Sequence, residues 1–107
     1  MALLRGEPIL WMLLEDPTSQ TQRRGLAAEA LTLLVEDEPI LSGKVARGFG
    51  QIIQKTDPSD PTLNAYLIHF TQEIGELERI YPIAEAAFNE QRVDEEIITP
   101  EDLEEDD

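Results

Sequence analysis

The chain has 107 residues, with 23 Asp and Glu against eight Lys and Arg, a net charge of −15, 41% hydrophobic residues and no cysteine. That length argues for one domain, and the apolar content is too high for a wholly disordered chain. The absence of cysteine excludes disulfides and thiolate metal sites and permits a cytosolic location, while the charge disfavours binding to DNA or anionic lipid.

The acid is unevenly placed. From Asp94 onward there are nine acidic residues and no basic one, whereas residues 1–93 carry a net −6. The expected division is therefore a helical domain over 1–93 and an acidic tail with a short helical turn over 94–107. A modestly acidic body with such a tail reads as a solubility device. At the start, MALLRGEPILWMLL is interrupted by Arg5, Glu7 and Pro8. The uninterrupted run Ile9 to Leu14 falls short of a secretory signal, and far short of the roughly 20 residues of a membrane span, so the chain is read as unprocessed and cytoplasmic.

Pro and Gly punctuate the sequence, and between those marks apolar residues recur at helical spacing with almost no strand alternation. A first helix is predicted from Pro8 to Glu15, Pro standing in the first turn. It is apolar nearly all round, which calls for cover on most sides. A second is predicted from Ser19 to Val35, capped by Thr18 or Ser19, with Leu26, Ala27, Ala30, Leu31 and Leu34 as its apolar stripe. Gly25 there suits a close approach between helices. A third spans Pro39 to Lys55. Its inner stripe is Leu41, Val45, Gly48, Phe49 and Ile52, and its outer stripe is Lys44, Arg47, Gln51 and Gln54.

A fourth helix is predicted from Pro61 to Ile74, capped by Asp60, ended by Gly75, and striped by Leu63, Tyr66, Leu67, Phe70 and Ile74. A fifth spans Glu76 to Gln91, with Leu77, Ile80, Ile83, Ala84, Ala87 and Phe88 inward. Pro82 either kinks it or places the main start near Tyr81. Thr99 to Leu103 reads as a capped turn before a frayed acidic end.

Two Asp-Pro pairs, at 16–17 and 57–58, stand 41 residues apart. That spacing lies within the about 40–47 residues of HEAT and armadillo repeats. The unit is a helix, an Asp-Pro turn and a second helix, so the chain holds two hairpins and a fifth helix that opens a third unit. The segment LLEDPTSQTQRRGLAAEALTLL, residues 13–34, resembles a bacterial HEAT-like repeat, in which an acid and Pro end the first helix (Asp16, Pro17), basic residues open the second (Arg23, Arg24) and an Ala-Ala-Glu-Ala-Leu core follows (Ala27 to Leu31). The stretch 81–105 is similar to the end of a bacterial family of uncharacterised helical proteins, through Pro82, Ala87, Phe88, Val93, Asp94, Ile98, Glu101, Asp102 and Leu103. The resemblance implies an all-α fold, a short α-solenoid of HEAT-like helical hairpins, and carries no activity. Against that family's pattern the chain starts partway into the helical array and lacks the cysteine-rich metal-binding tail of some relatives.

Chemistry is sparse. His69, the single histidine, falls opposite the inner stripe of the fourth helix. With Glu73 it shares a face at i, i+4, but two groups do not make a metal site. Glu36, Asp37 and Glu38 read as a solvated turn. Gly48-Phe49-Gly50 lacks the context of a phosphate loop, the tail lacks the spacing of a calcium loop, and no nucleophile elbow is present. No catalytic, cofactor-binding or metal-ligating residue is nominated, and no cofactor is expected.

What the sequence does offer is a surface. Ile9, Trp11 and Met12 on the apolar first helix are the expected contact residues for another protein or for self-association, because an exposed apolar patch with a Trp marks an interface. Lys44, Arg47 and Gln51 form a second candidate face, for an acidic partner or the chain's own tail. The expected function is a non-catalytic protein–protein interaction module, a scaffold or adaptor. The alternative is an acidic inhibitor or nucleic-acid mimic that occupies a basic groove on its target.

Overall fold

A computed structural model describes residues 2–55 and 60–104, with side chains over 7–55 and 60–103. Met1 and the second Asp-Pro turn at 57–58 lie outside the described residues. Five α-helices follow one another: α1 (Ala2–Glu15), α2 (Thr21–Asp37), α3 (Ser42–Gln54), α4 (Pro61–Glu73) and α5 (Leu77–Asn89). Single 3₁₀ turns cover Pro39–Leu41 and Pro100–Glu104, and no strand occurs among the described residues.

The all-α expectation holds, and the helix ends differ in ways local chemistry explains. α1 begins at Ala2, not at Pro8, so Pro8 sits inside it. Pro8 has no N–H to return to the preceding turn, and its ring is exposed. α2 starts two residues later than expected, and neither Thr18 nor Ser19 caps it. Instead Asp16 organises the turn, accepting from the Thr18 backbone N–H at 2.9 Å, the Thr18 hydroxyl at 2.7 Å and Ser19 Oγ at 3.2 Å. An Asp that bonds the backbone two residues on is a self-contained turn former. Asp60 does cap α4, accepting from Leu63 N–H at 3.1 Å, and Gly75 ends that helix region at φ +78°, where any Cβ is strained. Pro82 lies within α5 without displacing its start.

α1 packs on α2 and α3 on α4, while α2 also packs on α4 and α3 on α5. Glu7 and Trp11 meet Lys44 and Gly48, so α1 and α3 run the same way. Thr21 and Gly25 meet Asp60 and Tyr66, so α2 and α4 do too. The result is a two-layered slab of 39 × 36 × 19 Å, with α1, α3 and α5 in one layer and α2 and α4 in the other. Leu14, Ala28, Leu31, Phe49, Ile53, Leu63, Leu67, Ile68 and Ile80 fill the space between layers.

Two side chains tie the helix ends. Arg24 is buried, and its Nε donates to the Leu14 carbonyl at 2.8 Å, satisfying an orphan acceptor in the last turn of α1 with a cation. Arg92 Nη1 donates to the Ile53 carbonyl at 2.6 Å near the end of α3, and the Arg92 carbonyl accepts from Asn64 Nδ2 at 2.8 Å. The segment after α5 is thus clipped to α3 and α4. Val93, Ile98 and Leu103 join the same core cluster as the helices, although two of the three stand within the stretch expected to be an acidic tail. Thr99 and Asp102 cap the final turn, N–H to Oδ2 at 2.8 Å.

Replacing Leu103, 6% exposed, by Ala should therefore cost about 2 kcal/mol, the low end for a buried leucine. Urea unfolding reads this as a lower midpoint at unchanged slope. An unchanged midpoint would show that the last turn adds nothing to the core.

Candidate functional site

The six residues singled out in the sequence separate into two places. Trp11, Lys44, Arg47 and Gln51 come together, lining with Glu15 and Gly48 a shallow cleft of about 310 Å³ between α1 and α3. Ile9 and Met12 lie elsewhere, on the outward side of α1 with Leu13. Ile9 is 60% and Met12 70% exposed. The expectation that α1 is covered on most sides is corrected: among its described side chains, from Glu7 on, Glu7 and Leu14 are the buried ones, on the side that packs against α2.

Trp11 is half-buried, and its contacts are internal. The Trp11 indole lies over Gly48, where a Cβ would overlap the ring. It meets Phe49 edge to face with centroids 5.9 Å apart, a favoured aromatic geometry. Its Nε1–H donates to Glu7 Oε2 at 3.0 Å, one turn earlier on the same helix. The same oxygen pairs with Lys44 Nζ at 2.9 Å. Burial alone would push the Glu7 carboxyl up. Hydrogen bonds from Lys44 and Trp11, with the lysine's charge, outweigh that and hold it below its ordinary value. Trp11, Glu7 and Lys44 form a latch between α1 and α3, in which the indole is a structural side chain and the Lys44 charge is already engaged.

Arg47 and Gln51 are exposed on the same face. Arg47 and Arg79 reach toward one another over Gly43. Below them Glu76 accepts from Ser42 Oγ at 2.7 Å and pairs with Arg79 at 2.9 Å, and these contacts hold its carboxyl below the ordinary value. The basic stripe is interleaved with partnered acids, so the face is mixed in charge.

His69 is exposed and sits 3.3 Å from Glu73, as the i, i+4 spacing implied. Among the described residues no three His, Asp or Glu side chains gather in metal-ligating geometry, and no helix is long and apolar enough to cross a membrane.

The sequence reading missed one apolar surface. Leu26 was expected inward and is 61% exposed, as is Leu33 at 55%. The buried face of α2 keeps Ala27 and Leu31 from the expected stripe and adds Arg24, Gly25, Ala28, Thr32 and Val35. The signal was available: leucines at 26, 31, 33 and 34 point in more directions than one helical stripe can hold.

Gly48→Ala should destabilise by about 1–3 kcal/mol despite alanine's better helix propensity, because the new methyl must displace the indole. Urea unfolding and a red shift of the Trp11 fluorescence check this together. Glu7→Gln should cost about 1 kcal/mol at neutral pH. The folded Glu7 binds protons more weakly than the unfolded one, so its contribution is complete above the ordinary carboxyl value of about 4.3 and lost as pH falls through the lower folded value. Wild type and Glu7→Gln should then converge in stability as pH falls through that lower folded value, and a gap that persists in still stronger acid would refute the charged latch. Compared with protein-family models, with curated proteins and with solved structures, the chain gives no match.

Proposed function

We propose that this chain is a non-catalytic protein-interaction module, a short HEAT-like α-solenoid of the bacterial type that serves as a scaffold or adaptor in the cytoplasm. The reading of the frame is supported by hairpins α1–α2 and α3–α4, with like helices parallel in each layer. Stacked hairpins of this kind bury each unit against its neighbours and leave flanks free for partners.

The observation that carries the function is apolar exposure on the first hairpin. Ile9, Met12 and Leu13 occupy one outward stripe of α1 at i, i+3 and i+4, and Leu26 and Leu33 occupy an outward stripe of α2. These large side chains give up part of a burial worth roughly 1.5–3 kcal/mol each when complete. Clustered exposure of that kind marks an interaction surface, whereas scattered single leucines need no explanation. Trp11 lies apart from that stripe, in the cleft between α1 and α3.

The test uses Ile9→Glu/Met12→Glu, which changes exposed side chains and spares the latch. Full-length protein should retain a partner from cell extract that re-binds when purified, or should run above monomer mass in light scattering. The double variant should lose that partner or that mass while keeping its helical circular dichroism. Binding and mass identical in both proteins would remove the α1 face from the proposal.

A further inference from the structure

The outward stripe of α2 has a composition the core does not require. Leu26, Glu29, Leu33 and Glu36 stand at i, i+3, i+7 and i+10, all exposed, alternating apolar and acidic. Beside it, α4 runs in the same direction and contributes Tyr66 and Phe70, stacked with centroids 6.5 Å apart and planes at 27°. Between the two helices lies a cleft of about 190 Å³ lined by Gln22, Gly25, Leu26, Glu29, Tyr66 and Phe70. Gly25 lets the ring settle close to α2, since a Cβ there would stand 3.3 Å from Tyr66 Cδ2. The cleft has apolar walls, an acidic rim and no lysine or arginine in its lining.

We propose that this α2–α4 groove docks a basic amphipathic helix of another protein. One apolar side chain seats between Leu26, Tyr66 and Phe70, and lysines or arginines one turn away lie opposite Glu29 and Glu36. An amphipathic helix laid in a groove inserts apolar anchors at i, i+3, i+4 and i+7, and the stripe offers Leu26 and Leu33 seven residues apart to meet them. Charge decides among occupants. The chain carries −15, so a second copy, an acidic peptide or an anionic lipid surface is repelled, while a basic helix is steered in. The proposal rests on the interaction-module reading but not on the α1 face.

The test is fluorescence anisotropy of the full chain at physiological salt with two labelled peptides. One is built only of leucine and lysine at helical spacing, and the other has every leucine replaced by serine at equal charge. The leucine peptide should bind about tenfold or more tighter than the serine peptide. Leu26→Glu should weaken it about tenfold although it adds a negative charge, and Met12→Glu should leave it unchanged. Equal binding of the two peptides, no binding by either, or full binding by Leu26→Glu overturns the groove. Loss with Met12→Glu but not with Leu26→Glu also overturns it, while leaving the interaction-module reading standing on α1. A dimer in sedimentation that Leu26→Glu dissolves overturns it by naming a second copy as the occupant.

Discussion

The Trp11 ring fills the space in which any other residue at position 48 would place its Cβ. This contact joins the first hairpin to the second in one layer, as Gly25 and Tyr66 join them in the other. In both places a glycine on one helix receives an aromatic ring from its neighbour. A small residue under a ring brings two helix axes together without a void, and close packing is what distinguishes a unique native state from a loose bundle. The buried Glu7 then holds the ring by its N–H and draws Lys44 to the same oxygen. A carboxylate can be buried there because two donors offset the loss of water.

The same economy governs the helix ends. Two arginines, Arg24 and Arg92, spend donors on the carbonyls of Leu14 and Ile53, where α1 and α3 run out of internal partners. In a chain with few cations this use is informative. Arg24 and Arg92 are drawn inward to cap helices, exposed Lys44 closes the latch on buried Glu7, and most of the other acids are left at the surface. The molecule therefore presents a negative field broken by apolar stripes on α1 and α2. Such a surface is suited to selecting partners by charge and holding them by apolar contact.

Much of the frame was legible in the residues. Asp60 ahead of Pro61, with Leu63, Leu67 and Phe70 following, reads as a capped amphipathic helix because capping and periodicity are local properties. Lys44, Arg47 and Gln51 were placed on one face by spacing alone, and the structure has them there. The start of α1 was not legible. Pro8 is a strong local signal for a first turn, and packing of α1 on α2 overrides it. The N-terminus of α2 was missed for a related reason: Thr18 and Ser19 look like caps in isolation, but Asp16 claims both of their hydroxyls.

By itself, then, the sequence determined the helical class, most helix boundaries, part of the inner stripes of α3 and α4 (Val45, Phe49 and Ile52; Leu63 and Leu67), most of that of α5, and the uneven distribution of charge, because these follow from periodicity and composition over a few turns. Tyr66 and Phe70, expected inward, line an open cleft. Tertiary structure alone decided which of the leucines of α2 face the core and which face out, since α2 carries them on several sides and only the position of α1 and α4 chooses among them. It also decided what Trp11 touches within the molecule. An indole on an apolar helix can be an anchor for a partner or a wedge between neighbours. The outcome depends on whether a glycine and a buried carboxylate stand opposite, 37 residues away at Gly48 and one turn back at Glu7.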